Sequence, residues 1–406
     1  MREKRRKLKK RKRIVRLIII ISFLLFFLSG MFMLVSVFIE NTRTVNNKLD
    51  ENISSNFSND NSNQTNNPEN LSSESYINYI LEGGIHELPI NGASGFASID
   101  MNLYKEPSEN QVVSEINQGQ GFTILEEAGE WWKIKLNENI GWVMHKYCMV
   151  NLPDIIPSIV YNNTNAYSSK LTSSGKNIPD ITGLKLYESS SYNLRLNKKE
   201  FTVPVLYSMA IKICSAQQSA LSDNNTLIIY EGFRPYDVQR KIVDNLRLLA
   251  EKDSLVKMGI TKSPWSMDWF ISTGLSNHQR GYAIDVSLGS IIESNIRNTG
   301  KYSYKVIESY EEYSMPSTIH ELSIESIVFT APVSSVSKNA WHKSKLAITM
   351  NNEALLLQNY CTNAGLTPLA SEWWHFNDLE SMDFAIKHNI NGKYFIQNNY
   401  SITPNS

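Results

Sequence analysis

The sequence predicts a larger domain of mixed helices and strands, a small all-β barrel before it, and one membrane-spanning helix at the amino end. Residues 17–39 form a run of 23 residues without a charged side chain. Residues 90–150 hold short strand patterns, and residues 180–400 alternate strand and helix patterns. A length of 406 residues also suits two or three domains rather than one.

The charges of the chain are segregated, although they sum to zero. Lys and Arg total 40, and Asp and Glu also total 40. Residues 1–16 contain eleven basic side chains and one acidic one, a net charge of +10, so the remaining residues carry −10. The zero total argues against a nucleic-acid partner, and the basic tip requires another explanation.

The uncharged run after the basic tip predicts a single-pass membrane anchor. About 20 apolar residues in a helix span the hydrocarbon core, and residues 17–39 are long enough. The basic flank 1–16 stays in the cytoplasm, so the rest of the chain is expected outside the plasma membrane. A cleaved signal peptide is the alternative, but its apolar region is shorter and ends in small residues, which favours an uncleaved anchor.

Two polar segments are expected to separate the folded parts. Residues 40–75 are predicted to form a disordered stalk, since eleven of the thirty residues 41–70 are Asn and little apolar surface can be buried. Residues 153–180 are rich in Asn, Ser and Thr and are interpreted as a second linker.

The segment 76–152 is predicted to be the barrel. The period-two pattern of Trp131–Leu136 buries one face, and a turn separates it from the strand Ile140–Val143. The order WWKIKL followed by GWV resembles a bacterial SH3-like domain. That resemblance implies an accessory module that binds the cell wall or another ligand and performs no chemistry.

The segment 181–400 is predicted to be the larger domain. Helices are expected from Pro204 onward, over Tyr236–Lys252 and over Glu353–Cys361; strands are expected at Leu227–Tyr230, Leu366–Leu369 and Trp373–Phe376.

Two short motifs in this domain carry candidate metal ligands. In SNHQRGYAID, at 276–285, His278 and Asp285 are seven residues apart, and Gly281 allows a tight backbone path between them. In EWWH, at 372–375, residues three apart face opposite sides of a flat strand, so a bend is needed. That bend would put Glu372 beside a metal held by His375, where a carboxylate acts as a general base.

A third segment, EGFRP at 231–235, contains the motif GFRP at 232–235 and directly follows the predicted buried strand Leu227–Tyr230. An Arg fixed at a strand end by Gly and Pro suits an oxyanion or a carboxylate. Arg234 is therefore a candidate for binding negative charge, with a surface ion pair as the alternative.

The three motifs, in this order, resemble the zinc D-Ala-D-Ala peptidases, and most closely the D-alanyl-D-alanine dipeptidases of the vancomycin-resistance type. The resemblance covers about residues 180–400 and implies an α+β domain with a central antiparallel sheet. Trp373–Trp374 favours the dipeptidase branch, because the related carboxypeptidases have Pro at the second position of EWWH.

The resemblance also implies a role for each motif residue. Zinc would be held by His278, Asp285 and His375. Glu372 would be the base that activates water, and Arg234 would stabilise the tetrahedral oxyanion. Ser276 would contact the substrate backbone.

One further substrate contact departs from the family pattern. The dipeptidases carry a segment M-[GP]-S-x-F-D, whose Asp binds the substrate amino group. The matching segment here is Met315–His320, so His320 replaces that Asp, and residues 287–314 look like an insertion. This substitution puts strict dipeptide selection in doubt and favours acceptance of a longer peptide end.

Together these features predict a membrane-anchored, extracytoplasmic zinc metallopeptidase that hydrolyses D-Ala-D-Ala in peptidoglycan metabolism. Carboxypeptidase or endopeptidase action on peptidoglycan stem peptides is the alternative within this class. A non-catalytic protein that binds the cell wall is the alternative from another class.

Overall fold

The computed structural model of the protein describes residues 77–78 and 87–404, all of which belong to one unit, Glu74–Ser406. The predicted basic tip 1–16, anchor 17–39 and stalk 40–75 lie outside the described residues. Over the part of the chain that the structure describes, every helix is too short or too polar to cross a membrane.

Strands dominate the described residues. They are β1 (Ile77–Asn78), β2 (Ser94–Ala97), β3 (Met101–Tyr104), β4 (Val112–Ile116), β5 (Gly121–Ala128), β6 (Trp131–Leu136), β7 (Asn139–Met144), β8 (Cys148–Asn151), β9 (Val160–Tyr161), β10 (Thr172–Ser173), β11 (Lys176–Asn177), β12 (Ser190–Asn193), β13 (Lys198–Phe201), β14 (Pro204–Leu206), β15 (Asn225–Glu231), β16 (Ala283–Thr299), β17 (Tyr302–Glu312), β18 (Thr367–Leu369) and β19 (Glu372–Asn377).

The helices fall mainly in the second half of the chain. They are α1 (Leu152–Ile155), α2 (Tyr207–Ser222), α3 (Tyr236–Lys252), α4 (Ser254–Thr261), α5 (Met267–Phe270), α6 (Asn352–Asn363) and α7 (Leu379–Lys387), with 3₁₀ turns at His145–Tyr147, Thr164–Ala166 and Ala340–Lys343.

The first sheet has the strand order β14-β8-β2-β5-β6-β7-β3-β4, and its neighbouring strands are antiparallel. Alternate side chains of β6 point inward, and Trp132 and Ile134 are fully buried. The helix expected from Pro204 begins at Tyr207 instead. Residues Pro204–Leu206 form a strand because they pair with β8 and extend the barrel sheet.

The second sheet has the strand order β1-β17-β16-β15-β9, and β19 joins it through β16. The pairs among β15, β16, β17 and β19 are antiparallel, which confirms a mixed α/β architecture with antiparallel sheets. The long strand β16 pairs with β19 at its start and with β15 further along. Residues 287–314, predicted as an insertion, form most of the hairpin β16–β17.

Helix α3 has the predicted bounds, Tyr236–Lys252, and buries Val238, Ile242 and Leu246 along one face. Residues 153–180, interpreted from composition as a linker, are instead packed into the unit. Ile155, Leu171 and Ile178 are buried there. Composition misled the interpretation because the polar side chains of the segment, such as Asn165, bond other buried groups.

One apolar core runs through both sheets. Trp132 of the barrel meets Tyr207 of α2 edge-on, with ring centroids 4.7 Å apart. The Tyr207 hydroxyl also donates to Glu127 of β5 at 3.1 Å. The barrel is therefore fixed against the elements that follow it.

Candidate metal centre

Two of the candidate ligands lie on neighbouring strands. Asp285 of β16 is directly opposite His375 of β19 in an antiparallel pair, so both side chains lie on one face. His278 reaches the same place from the turn before β16. In this turn Gly281 has φ 74°, and a side chain there would meet Met149 and Leu206. Only glycine fits this tight approach without strain.

The three ligand atoms form a small triangle. His375 Nδ1 lies 3.0 Å from Asp285 Oδ1 and 3.1 Å from His278 Nε2. His278 Nε2 lies 3.2 Å from Asp285 Oδ1. All three residues are buried. The structure thus brings together the three residues that the motifs single out.

Both imidazole rings are oriented by acceptors behind them. His278 Nδ1 lies 2.7 Å from the carbonyl oxygen of Gly232, and His375 Nε2 lies 3.0 Å from Asn377 Oδ1. A ring nitrogen that faces an acceptor carries the proton, so the other nitrogen offers its lone pair. The lone pairs of His278 Nε2 and His375 Nδ1 therefore point at each other and at Asp285.

This arrangement fits a bound cation. Three acceptor atoms that converge repel one another unless a positive charge lies between them. A zinc ion with ligand distances of about 2.0–2.1 Å in tetrahedral geometry keeps its donor atoms roughly 3.3 Å apart, close to the spacing in the triangle. Two imidazoles and a carboxylate also suit other first-row divalent metals.

Glu372 begins β19, next to the triangle rather than within it. Its Oε2 lies 3.6 Å from His375 Nδ1. The pairing of β18 with β19 shifts register between Glu372 and Phe376, which provides the bend that the motif requires. Burial and the nearby Asp285 raise the pKa of Glu372 to about 8, against the opposing effect of His375 and Arg234. A carboxyl group with a pKa near neutrality is suited to accept and return a proton.

Arg234 is held by a carboxylate that the sequence motifs did not single out. Its guanidinium donates to Glu231, to Gln239 Oε1 at 2.8 Å and to Asp285 Oδ2 at 3.3 Å. Burial opposes ionisation of Glu231, but the Arg234 charge lowers its pKa below the ordinary value. Glu231, Asp285 and His320 could also be grouped as metal ligands. The Arg234 guanidinium already supplies the positive charge there.

Ser276 and His320 are the two expected substrate contacts. Both line a cavity next to the ligand triangle, but each is engaged in a hydrogen bond within the protein. Ser276 Oγ accepts from the His278 amide at 3.3 Å, which steadies the ligand turn. His320 Nε2 lies 3.2 Å from Asp285 Oδ2. Glu231, the partner of Arg234, and Asn377, the partner of His375, were not predicted from the sequence. Their positions next to the motifs GFRP and EWWH are the one sequence signal that could have identified them.

The triangle forms one wall of a cavity of about 380 Å³. Trp269, Ile271 and Leu275 contribute apolar surface, and Asp268 adds an exposed carboxylate. The cavity can therefore bring a small polar chain with apolar side groups next to the ligand atoms and Glu372.

The comparisons with known proteins bear on the barrel. Residues 99–148 match the family described as "Bacterial SH3 domain". A search of curated proteins with the whole chain gives no match. The matched range covers strands β3 to β7 and the start of β8, which confirms this part of the sequence prediction. Residues 99–148 are a bacterial SH3 domain.

Proposed function

We propose that this protein is an extracytoplasmic zinc peptidase of peptidoglycan metabolism, which hydrolyses D-Ala-D-Ala or a neighbouring bond of a stem peptide. The observation that carries the proposal is the convergence of His278, Asp285 and His375 on the wall of a cavity, with Glu372 beside them. Three protein ligands with room for a fourth are typical of catalytic rather than structural zinc.

The proposed mechanism assigns each side chain one task. Zinc at this site would supply Lewis-acid chemistry, polarising a carbonyl group and lowering the pKa of water. Glu372 accepts a proton from the attacking water and returns it to the leaving amine, a role that its position beside the ligand triangle permits. Arg234 places a fixed positive charge next to the site, where negative charge develops on the carbonyl oxygen.

The substrate is proposed to be a wall peptide with D-alanine at the cleaved bond. Carboxypeptidase or endopeptidase action on stem peptides is the alternative within this proposal. His320, where the dipeptidases have Asp, favours a substrate longer than a free dipeptide, since an imidazole at this position supplies no carboxylate for a substrate amino group.

The proposed location follows from the sequence. Residues 17–39 would anchor the chain in the plasma membrane as a single pass, and the basic residues before them would remain in the cytoplasm. The SH3 domain at 99–148 would then face the cell wall and could hold the enzyme at its substrate.

A panel of substrates tests the proposal. The full chain in detergent, loaded with zinc, is offered D-Ala-D-Ala, a stem pentapeptide and cross-linked peptidoglycan, and products are identified by mass spectrometry. Release of alanine from the dipeptide selects a dipeptidase. Release of terminal D-Ala from the pentapeptide selects a carboxypeptidase, and cleavage within the cross-linked wall selects an endopeptidase.

The SH3 domain supports a second candidate, a protein that binds the cell wall without catalysis. Such a protein would co-sediment with purified peptidoglycan and would hydrolyse none of the three substrates. That pair of results would reject the peptidase proposal.

A further inference from the structure

The two carboxylate oxygens of Asp285 have different neighbours. Oδ1 faces the lone pairs of His375 and His278, at 3.0 and 3.2 Å. Oδ2 faces the other way, toward His320 Nε2 at 3.2 Å and an Arg234 nitrogen at 3.3 Å. One oxygen is thus available to a metal while the other is held by protein donors.

The hydrogen-bond pattern of His320 indicates which ring nitrogen carries the proton. His320 is 1% exposed, and its Nδ1 has no hydrogen-bond partner among the described residues. A proton on that nitrogen would be a buried, unsatisfied donor, which costs about 1–3 kcal/mol. The neutral ring therefore carries its proton on Nε2 and donates it to Asp285 Oδ2.

The position of the His320 ring is fixed by its surroundings. Its backbone lies in the left-handed region, with φ 64°, and its carbonyl oxygen accepts from the Thr172 amide at 3.1 Å. The ring meets Tyr230 and Trp374 edge-on, with centroids 6.0 and 6.1 Å away. A donor held on two sides by aromatic rings can impose one orientation on the carboxylate that it contacts.

His320 does not join the ligand triangle itself. The group formed by His278, Asp285 and His375 and the group that contains His320 share only Asp285. We propose that His320 is a positioning residue, an inference that rests on the proposed metal site. It donates from Nε2 to Asp285 Oδ2 and thereby keeps Oδ1 turned toward the metal.

Three substitutions in the full chain test this role. His320→Leu removes the donor. His320→Gln places an amide N–H where Nε2 lies. His320→Asn suits a positive φ but is too short to reach Asp285. Zinc dissociation constants are measured by competition with a chromophoric chelator, and thermal unfolding of the metal-free proteins reports damage to the fold.

We expect His320→Leu and His320→Asn to bind zinc about 10–100-fold more weakly, as is typical when a partner of a metal ligand is lost. His320→Gln should bind close to wild type. A purely structural role would lower the unfolding temperature without separating Gln from Asn in zinc affinity. If the Leu variant does not fold, the comparison of Gln with Asn decides.

Equal zinc affinity in all folded variants and wild type would overturn the positioning role while leaving the proposed peptidase intact. Equal losses in Gln and Asn would overturn it too, because the donor would then not matter. Failure of the wild-type protein to bind zinc would instead reject the metal site, and this inference with it.

Discussion

His375 Nε2 donates to Asn377 Oδ1 across 3.0 Å, within a single strand. The Asn377 amide is itself oriented, because the same Oδ1 accepts from Asn277 Nδ2 at 2.9 Å. Since the proton of the His375 ring is committed to Nε2, Nδ1 is left with its lone pair toward Asp285. A residue two positions after a ligand thus determines which nitrogen that ligand offers.

Replacing Asn377 should therefore weaken metal binding without touching a ligand. Asn377→Leu removes the acceptor, and we expect zinc affinity to fall about 10–100-fold. Asn377→Asp keeps an acceptor and should bind near the wild-type level. Affinity is measured by chelator competition, with Asn298→Leu, at an exposed position on β16, as the control. A loss of zinc affinity in Asn377→Asp as large as that in Asn377→Leu would contradict this role of Asn377.

Glu372→Gln should separate metal binding from catalysis. The side chain lies beside the triangle, so zinc content should stay at the wild-type level. Hydrolysis should fall about 10²–10⁴-fold, since Gln cannot accept a proton. Zinc content is measured by atomic emission. Activity is measured on the substrate that the wild type cleaves.

The control for this experiment is Glu251→Gln, at an exposed position on α3. It should leave both zinc content and rate unchanged. A fully active Glu372→Gln protein would show that another group takes the proton.

Local pattern was sufficient for elements that bury one regular face. The bounds of Tyr236–Lys252 follow from apolar residues spaced by the helical period, with Pro235 before the first turn. Pro204–Leu206 could not be found in this way. Its strand conformation depends on pairing with β8, more than 50 residues earlier in the chain, which no local period records.

Some residues of the candidate site could likewise be predicted from local motifs, and others could not. His278, Asp285 and His375 stand in dense motifs, so their residue types alone suggested a metal. Glu231 and Asn377 act through hydrogen bonds across the fold, and their contribution depends on distances that the sequence does not contain. The dipeptidase pattern predicts that His320 contacts the substrate. Its contact with Asp285 depends on the folded structure and is not contained in that pattern.

The contact between Trp132 and Tyr207 predicts how the barrel and the following domain unfold. Trp132 is fully buried at their junction, so Trp132→Ala should lower the free energy of unfolding by about 3–5 kcal/mol. The core is continuous, so unfolding in urea should remain one transition by fluorescence and by circular dichroism.

Trp142→Ala is the matched control, since Trp142 lies in the same barrel but is partly exposed. Its cost should be clearly smaller. Two separate transitions in the wild-type protein would show that the barrel unfolds independently and that the contact with Tyr207 does not couple the two parts.

Glu87 predicts a pH dependence of stability that a single substitution can isolate. Its carboxylate is buried and accepts from the Ser158 amide at 2.7 Å and from Gln218 at 2.9 Å. Burial nevertheless raises its pKa from 4.5 to about 7. Between these two values the folded protein holds a proton that the unfolded chain has released.

The contribution of Glu87 to stability is therefore fully present below about pH 4.5 and is lost as the pH rises through about 7. The shift corresponds to about 3 kcal/mol. Glu87→Gln cannot titrate, so the unfolding free energy of the wild type, relative to the variant, should fall by up to that amount between pH 4.5 and 8. Urea unfolding at both pH values measures it, with exposed Glu138→Gln as control. Parallel pH profiles for wild type and Glu87→Gln would refute the assignment, because a buried carboxyl that binds its proton only on folding must impose this slope.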